Sequence, residues 1–411
     1  MQMKRTVKLF GLTIFEEQEE RSLGTLDNPT PELFSALASS VTDSGVPVTK
    51  HTVLTLTAVW RAVNILSGTI ASLPLNVYRK TPNGHREKLA GHPVASLLAD
   101  PNDEMTDFIF KETMMATLLL WGNSYAALVR DNSGHVVELI PVHPEGVVAV
   151  KVDGKRFYNV RIDNTYVSVS DKDIIHVPGL SFDGEKGYSP IAIMAESMGL
   201  GLAAQKFGSR FFGSGANMDG VLEVPGKLSD QAFDRLRTSW NERYKGLSKS
   251  HNTAILEGGA KYQRIGIPPE DAQFLQTRKF QVAEVARMYG VQPHLLMDLD
   301  RATHNNIEHQ GIEFVMFTLT PWIRRWEKEI NRKLLRNYKD MFVEFNITAL
   351  LRGDSKARSD YYRTMFSIGA MNPNRIRQLE NEPPYEGGDQ YFAQGAYTKV
   401  ENLKSQNNET Q

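Results

Sequence analysis

The sequence predicts an α+β fold for a chain built in segments. Three observations carry that prediction. Two β-hairpin patterns follow one another between residues 124 and 162. Several separate amphipathic helices flank them, some carrying small residues at helical spacing. One long helical pattern, residues 305–338, runs through an internal proline, Pro321.

The elements justify themselves in order. Residues 1–50 are polar, with an acidic run at Glu16, Glu17, Glu19 and Glu20, and read as a mobile arm with one short helix at 31–38. Leu56, Val59, Val63, Leu66, Ile70 and Leu73 make a helical stripe that Pro74 stops. LNVYRK, 75–80, is a strand before an Asn83-Gly84 turn. Thr106 and Asp107 cap a helix that runs to Trp121, with Gly122 past its end. Hairpins follow at 124–142 and 147–162, then a strand at 173–177. Ser189 and Pro190 open one helix to about Phe212, along which Ala192, Ala195, Gly199 and Ala203 line up. That spacing lets a second helix approach closely, from another subunit or from the same chain.

Beyond a glycine-rich break at 213–220 lie a strand (VLEVP) and a helix capped by Ser229. A hairpin at 251–267 and a helix at 270–290 come next. Residues 291–303 are a connector to the long helical pattern. There Ile312, Val315, Leu319, Trp322, Trp326 and Ile330 form one stripe, and a kink is expected at Pro321, which has no N–H and clashes with the preceding turn. A strand at 341–347, helices at 355–369 and 372–381, and a polar tail complete the chain.

Composition excludes several classes. The chain has 411 residues, 41% hydrophobic and 23% charged, which is globular. It has no cysteine, hence no disulfide framework and no thiolate chemistry. No apolar run approaches the roughly 20 residues of a membrane helix, and no signal-peptide pattern opens the sequence. The expectation is a soluble, non-exported protein without a membrane partner. The net charge of −1 gives no overall basic footprint for gripping duplex DNA.

No catalytic constellation emerges. Gly213, Gly215 and Gly220 lack the Lys-Ser/Thr pair of a phosphate loop. Gly199 and Gly201 sit inside a helical pattern, not after a strand, which argues against a dinucleotide fingerprint. His304 with Glu308, and His309 with Glu313, fall on two different helical faces, whereas a metal site needs three or four convergent ligands. Asp271, Asp298 and Asp300 lack an accompanying lysine motif for a nuclease. No catalytic residue, cofactor or metal is assigned.

Several long blocks, in chain order, resemble the portal proteins of tailed bacteriophages of the HK97 type. They are GLSFDGEKGYSPI (179–191), KYQRIGIPPEDAQFLQTRKFQVAEVARMYGVQPHLL (261–296), GIEFVMFTLTPWIRRWEKEINRKLL (311–335), LRGDSKARSDYYRTMFSIGAMNPNRIR (351–377) and NEPPYEGGDQYF (381–392). The resemblance covers roughly residues 50–392. One departure is Arg375, where the family often has an acidic residue near a helix start.

The resemblance implies an elongated subunit: a flexible arm (1–50), an α+β wing (51–188), a first stem helix (189–213), a clip (214–268), a second stem helix (269–292), a tunnel loop (293–304), a kinked tunnel helix (305–338), a wing return with crown-like helices (339–393) and a disordered tail (394–411). It implies a non-enzymatic virion protein, assembled in the host cytoplasm, whose copies, twelve in the particle, ring one capsid vertex. Its implied partners are further copies of itself, double-stranded viral DNA in the channel, terminase, head-completion or connector proteins and the major capsid protein. Asp298, Asp300, Arg301, His304 and Asn305 become the DNA-proximal candidates. Another ring adaptor of the head–tail junction, or a capsid-associated enzyme, is the alternative.

Overall fold

The structure, a computed structural model, describes residues 42–81, 86–162, 165–213, 220–244, 259–264, 274–298, 311–347, 350, 355–380 and 382–392, with four short strands before them. Those strands form two hairpins: β1 (Thr6–Leu9) with β2 (Leu12–Phe15), and β3 (Gly24–Thr25) with β4 (Asn28–Pro29). The helix expected at 31–38, the Asn83-Gly84 turn and the tail lie outside the described residues. The chain divides into two compact units, Met1–Thr303 with Met316–Asn346, and His304–Val315 with Ile347–Gln411.

In the first unit, residues 42–49, assigned to the arm by sequence, are packed: Thr42 and Val48 are buried and lead into α1 (Lys50–Val53). Helix α2 (Thr57–Ser72) presents Val59, Val63, Leu66 and Ile70, all buried, as the sequence stripe predicts. It packs on α4 (Asp107–Trp121), which follows the short α3 (Pro93–Ala99). Thr106 caps α4 by accepting from the Ile109 N–H at 3.3 Å, and Gly122 ends it at φ 73°.

Three antiparallel sheets surround this pair. β7 (Asn123–Arg130) is central, between β12 (Ile174–Pro178) and β8 (Val136–Val142), and is buried from Asn123 to Val129. β10 (Lys155–Ile162) lies between β9 (Val147–Val152) and β11 (Thr165–Ser170). β11 is a strand that the sequence reading passes over. Tyr125, Tyr158, Val160, Val167, Val169 and Ile174 share one core.

In the third sheet, β5 (Leu75–Lys80) pairs with β6 (Arg86–Lys88) and with the distant β15 (Met341–Phe345). The outer edge of β15 is closed by side chains rather than by a strand. Asn331 accepts from the Val343 N–H and donates to its carbonyl, at 2.6 and 3.1 Å. Glu327 accepts from the Phe345 N–H at 2.9 Å. Both belong to α9 (Thr320–Leu334), one turn apart on the face toward the strand.

The residues before α9 form a π-helical turn, Phe314–Leu319, with Pro321 in the first turn of α9. A π turn re-routes carbonyls that a proline leaves without an N–H partner. It also shifts the phase of the stripe. Val315, Leu319, Trp326 and Ile330 are buried, but Ile312 is 47% exposed, Trp322 is only half-buried, and Ile323 takes the inward position.

The helix expected to run unbroken from Ser189 is two pieces, α5 (Pro190–Ile193) and α6 (Ala195–Gly213). The backbone of Met194, at φ −98° and ψ 23°, leaves the helical region and separates them. α6 packs on α8 (Phe274–Tyr289). Between them in sequence, β13 (Gly220–Glu223) pairs with β14 (Lys261–Arg264), and α7 (Asp230–Tyr244) stacks Trp240 near Tyr262. Of the hairpin expected at 251–267, residues 251–258 lie outside the described residues; its described strand, β14, pairs with β13.

In the second unit, α10 (Ser355–Ser367) and α11 (Pro373–Leu379) are tied by Tyr362, whose hydroxyl donates to Glu380 at 2.6 Å. Asn372 caps α11 by accepting from the Arg375 N–H at 2.8 Å. The cap therefore needs no acidic residue at position 375. Asn374 holds the loop beyond, bonding the Tyr385 N–H and carbonyl at 2.9 and 3.0 Å.

Candidate functional site

Two arrangements position the segments to which sequence assigns function. The first joins the end of α4 and β7 to the segment that opens α5. Asn123 is 2% exposed. Its amide donates to the Gly187 carbonyl at 2.7 Å and accepts from the Gly187 N–H at 2.8 Å. The same oxygen faces His176 Nε2 at 3.0 Å, and His176 Nδ1 faces the Tyr158 hydroxyl at 3.1 Å. Satisfying every group requires a neutral imidazole: Nε2–H donates to Asn123, and Tyr158 donates to Nδ1. Burial pushes the His176 pKa down to about 3, with Arg156 and Lys333 adding to the effect. Burial likewise raises the Tyr125 phenol, whose ring stacks on His176 at 4.4 Å.

Around this network the backbone closes tightly. A Cβ at Gly122 would lie 2.1 Å from the Tyr188 carbonyl oxygen, and one at Gly187 would lie 2.0 Å from the Gly122 carbonyl oxygen. Ser189 donates to the Leu120 carbonyl at 2.7 Å while capping α5. The intervening turn is held by Asp183, which accepts from the Ser181 hydroxyl and from the N–H groups of Glu185 and Lys186. Those bonds, the Glu185 N–H foremost, hold its pKa at about 2. The start of α5, marked locally by Ser189 and Pro190, is thus also fixed in place by hydrogen bonds and close contact with the end of α4 and β7.

The second arrangement is the root of the connector. Gly290 ends α8 at φ 66°. The Thr318 hydroxyl of the π turn donates to the Gly290 carbonyl, and Arg61 of α2 donates to the Leu295 carbonyl at 3.2 Å. A short 3-10 turn, Pro293–Leu296, leads to Met297 in the left-handed region at φ 65°. Asp298, half-buried, donates its N–H to the Pro293 carbonyl at 3.1 Å. Two elements, α2 and the π turn, therefore grip the chain just before the residues assigned to DNA.

The assigned residues distribute unevenly. Asp300, Arg301, His304 and Asn305 lie outside the described residues, as do Asp271, Glu308 and His309. Pro321 is exposed. Of the small-residue set, Ala192 is exposed, Ala195 and Ala203 are half-buried, and Gly199 is buried. A Cβ at Gly199 would meet Thr42 Oγ1 at 2.4 Å, so this glycine admits the 42–44 turn. The close approach to α8 falls instead at Gly201, where a Cβ would meet Gln281 at 2.6 Å. Sequence reasoning missed Asn123, His176 and Gly187. Their one local signal is the Gly122-Asn123 pair after a helix and the glycine spacing in GLSFDGEKG. Among the described residues, no three His, Cys, Asp or Glu side chains converge on a metal position, and no helix is long and apolar enough to cross a membrane.

Comparison with known proteins places this architecture. The phage portal protein family model matches residues 57–381. The portal protein of Enterobacteria phage HK97 is 35% identical over 85% of this chain and 84% of its own length. The probable portal protein of Streptomyces phage phiC31 is 36% identical over 85% of this chain and 79% of its own. Among solved structures, an HK97-family portal protein from Corynebacterium diphtheriae superposes with a TM-score of 0.56 at 19% identity, covering 74% of this chain and 97% of that one. A chain from the virion of a native gene transfer agent particle gives 0.57 at 21% identity, covering 82% and 92%. With a family match across the structured length and relatives this similar end to end, the chain belongs to the phage portal protein family, of the HK97 type.

Proposed function

We propose that copies of this chain form a closed ring at one vertex of a capsid and that double-stranded DNA passes through its centre. The observation that carries the reading is the likeness to the HK97 portal protein over 85% of this chain and 84% of that one. The neck of a native gene transfer agent particle, computed with C12 symmetry, contains a chain of this fold at a TM-score of 0.54, and twelve copies are the stoichiometry proposed here.

In this reading residues 51–188 are the wing, 189–213 and 269–292 the stem helices, 214–268 the clip and 305–338 the tunnel helix. The tunnel loop, 293–304, is nearest the DNA, with Asp298, Asp300, Arg301, His304 and Asn305 the proximal side chains. The grip of Arg61 and Thr318 on its root supports that assignment, because a segment that meets moving DNA needs a fixed base. The role is mechanical, without catalysis. The net charge of −1 suits it, since a strongly basic lining holds phosphates and would impede sliding. Terminase docks during packaging, and connector proteins take its place in the virion.

Electron microscopy of the purified protein tests the ring: annular particles with a hole wide enough for duplex DNA are expected, and a compact monomer at all concentrations refutes it. Deleting 298–303 tests the loop. Rings should still assemble while packaging or retention of DNA fails; unimpaired packaging refutes the assignment.

A further inference from the structure

A cleft of about 550 Å³ opens between the β7–β8 turn, the residues just after β11, the start of α3 and the C-terminal end of α9. That volume lies within the roughly 300–1,000 Å³ of small-molecule sites. Two kinds of side chain define it. The first is cationic: Arg130, Lys172, Arg332, Lys333 and Arg336, with Asp171 the lining carboxylate. The deeper cations are engaged. Arg130 pairs with Asp173 at 2.8 Å, and Lys333 pairs with Asp171 at 3.0 Å and Glu329 at 3.4 Å. Arg332 is more than half exposed and shares Asp171 at 3.5 Å and Glu329 at 3.8 Å. Asp131 accepts from the Ser133 and His135 N–H groups of its own turn and faces the His135 ring at 3.6 Å. Among the described residues, neither Lys172 nor Arg336 has a carboxylate partner, and both are exposed. The uncompensated charge therefore belongs to the outer wall.

The second kind is aromatic. Tyr338, just past α9, lines the same cleft and is 43% exposed. Its ring meets that of His92 at near right angles, with centroids 5.2 Å apart. His92 is itself fixed, because its Nδ1 accepts from the Val94 N–H at 3.2 Å as the cap of α3. An acidic peptide would use the cations and leave this ring idle. A nucleotide uses both: its phosphate pairs with guanidinium and ammonium groups, and its base stacks on an aromatic face. We propose that this cleft binds a phosphorylated nucleoside, with Lys172, Arg332 and Arg336 on the phosphate and Tyr338 under the base. Two sources share that chemistry, a free nucleotide and one residue of a single strand. A duplex keeps its bases inside the stack and offers no face to Tyr338. The site uses none of the side chains assigned to channel DNA, so it stands or falls apart from the ring.

The full chain is titrated calorimetrically at about 50 mM salt, where phosphate contacts are strong, with four probes: adenosine triphosphate, a 5′-phosphorylated thymidine hexamer, tripolyphosphate and hexaglutamate. One or both base-bearing probes should bind at least about fivefold more tightly than the two without a base. The tighter of the two names the source. Tyr338→Ala should weaken that probe about tenfold and leave tripolyphosphate unchanged, while Tyr338→Phe keeps the parent affinity. Lys172→Glu with Arg336→Glu should weaken base-bearing and base-free phosphates alike, by about tenfold or more. Both positions are exposed, and unchanged hydrogen exchange in α2 and α4 reports an intact fold. Deleting 298–303 should leave all affinities as they are, which separates this site from the channel. Failure of both base-bearing probes to bind overturns the proposal. So does a preference for tripolyphosphate or hexaglutamate, or an affinity indifferent to Tyr338→Ala.

Discussion

Replacing Asn123 by alanine removes the side chain that fastens the 179–188 segment to β7, and the structure sets the size of the effect. Three buried groups lose their partner: the Gly187 N–H, the Gly187 carbonyl and His176 Nε2–H. Leaving a buried polar group unpaired costs about 1–3 kcal/mol. Water entering the opened joint recovers part of this, so a loss of about 3 kcal/mol in local stability is expected. Because each 1.4 kcal/mol is a factor of about ten, amides of 180–189 should exchange with solvent about 100-fold faster. Those of α4, held by the apolar contacts of Met114, Met115, Leu118 and Leu119, should keep their parent rates. Hydrogen exchange followed by mass spectrometry resolves the two peptides. Acceleration below about threefold at 180–189, or an equal acceleration in both regions, would refute the claim that Asn123 holds this joint.

Three further outcomes follow from the same geometry. Gly122→Ala places a Cβ 2.1 Å from the Tyr188 carbonyl oxygen at a backbone φ of 73°, and should lower stability by about 3 kcal/mol or more in chemical denaturation; a change under about 1 kcal/mol contradicts the close packing. His176, with its pKa pushed down to about 3, binds its proton far more readily in the unfolded chain, at about 6.5. Its contribution is whole above pH ~6.5 and drains away as pH falls toward ~3, about 2 kcal/mol being gone by pH ~5; a denaturation series against His176→Gln should show the parent's advantage shrinking over that window, and a constant difference argues against the buried neutral imidazole. Gly199→Ala should cost about 1–3 kcal/mol in the unassembled chain by displacing the Thr42–Ser44 turn, while Ala192→Ser, at an exposed position, should stay within about 0.5 kcal/mol; equal effects would show that the two do not differ in packing.

The local elements were legible because their signals are local. Thr106 with Gly122, and Ser189 with Pro190, mark helix ends by chemistry that acts within a few residues. The strands β7 to β10 read from runs of apolar and β-branched residues bounded by the turns at 131–134 and 153–154. β11 escaped because its inward valines, Val167 and Val169, are set among Thr165, Ser168 and Ser170, whose hydroxyls look like turn residues. The phase of the stripe on either side of the π turn differs from the sequence expectation at Ile312 and Trp322, because a π turn adds backbone that a 3.6-residue period does not count. The break at Met194 has no proline or glycine to announce it. The joint at Asn123 was invisible for a different reason. Its partners, Gly187 and His176, lie in separate strands and turns, and only the folded chain brings one amide between them. The pairing of β5 with β15 is longer in range still, and no property of either strand names the other.

That pairing leaves β15 with a free edge, and the way α9 covers it has a consequence for copies brought side by side at high local concentration. An open edge is a template onto which any strand of a neighbour can add, without limit on number. Here Asn331 and Glu327 imitate the missing strand, supplying donors and acceptors at Val343 and Phe345 where a neighbour's backbone would otherwise bind. The sheet is thereby terminated from within. Growth by strand addition is blocked at this edge, and association is left to surfaces that can count: faces that fit a fixed number of neighbours and then stop.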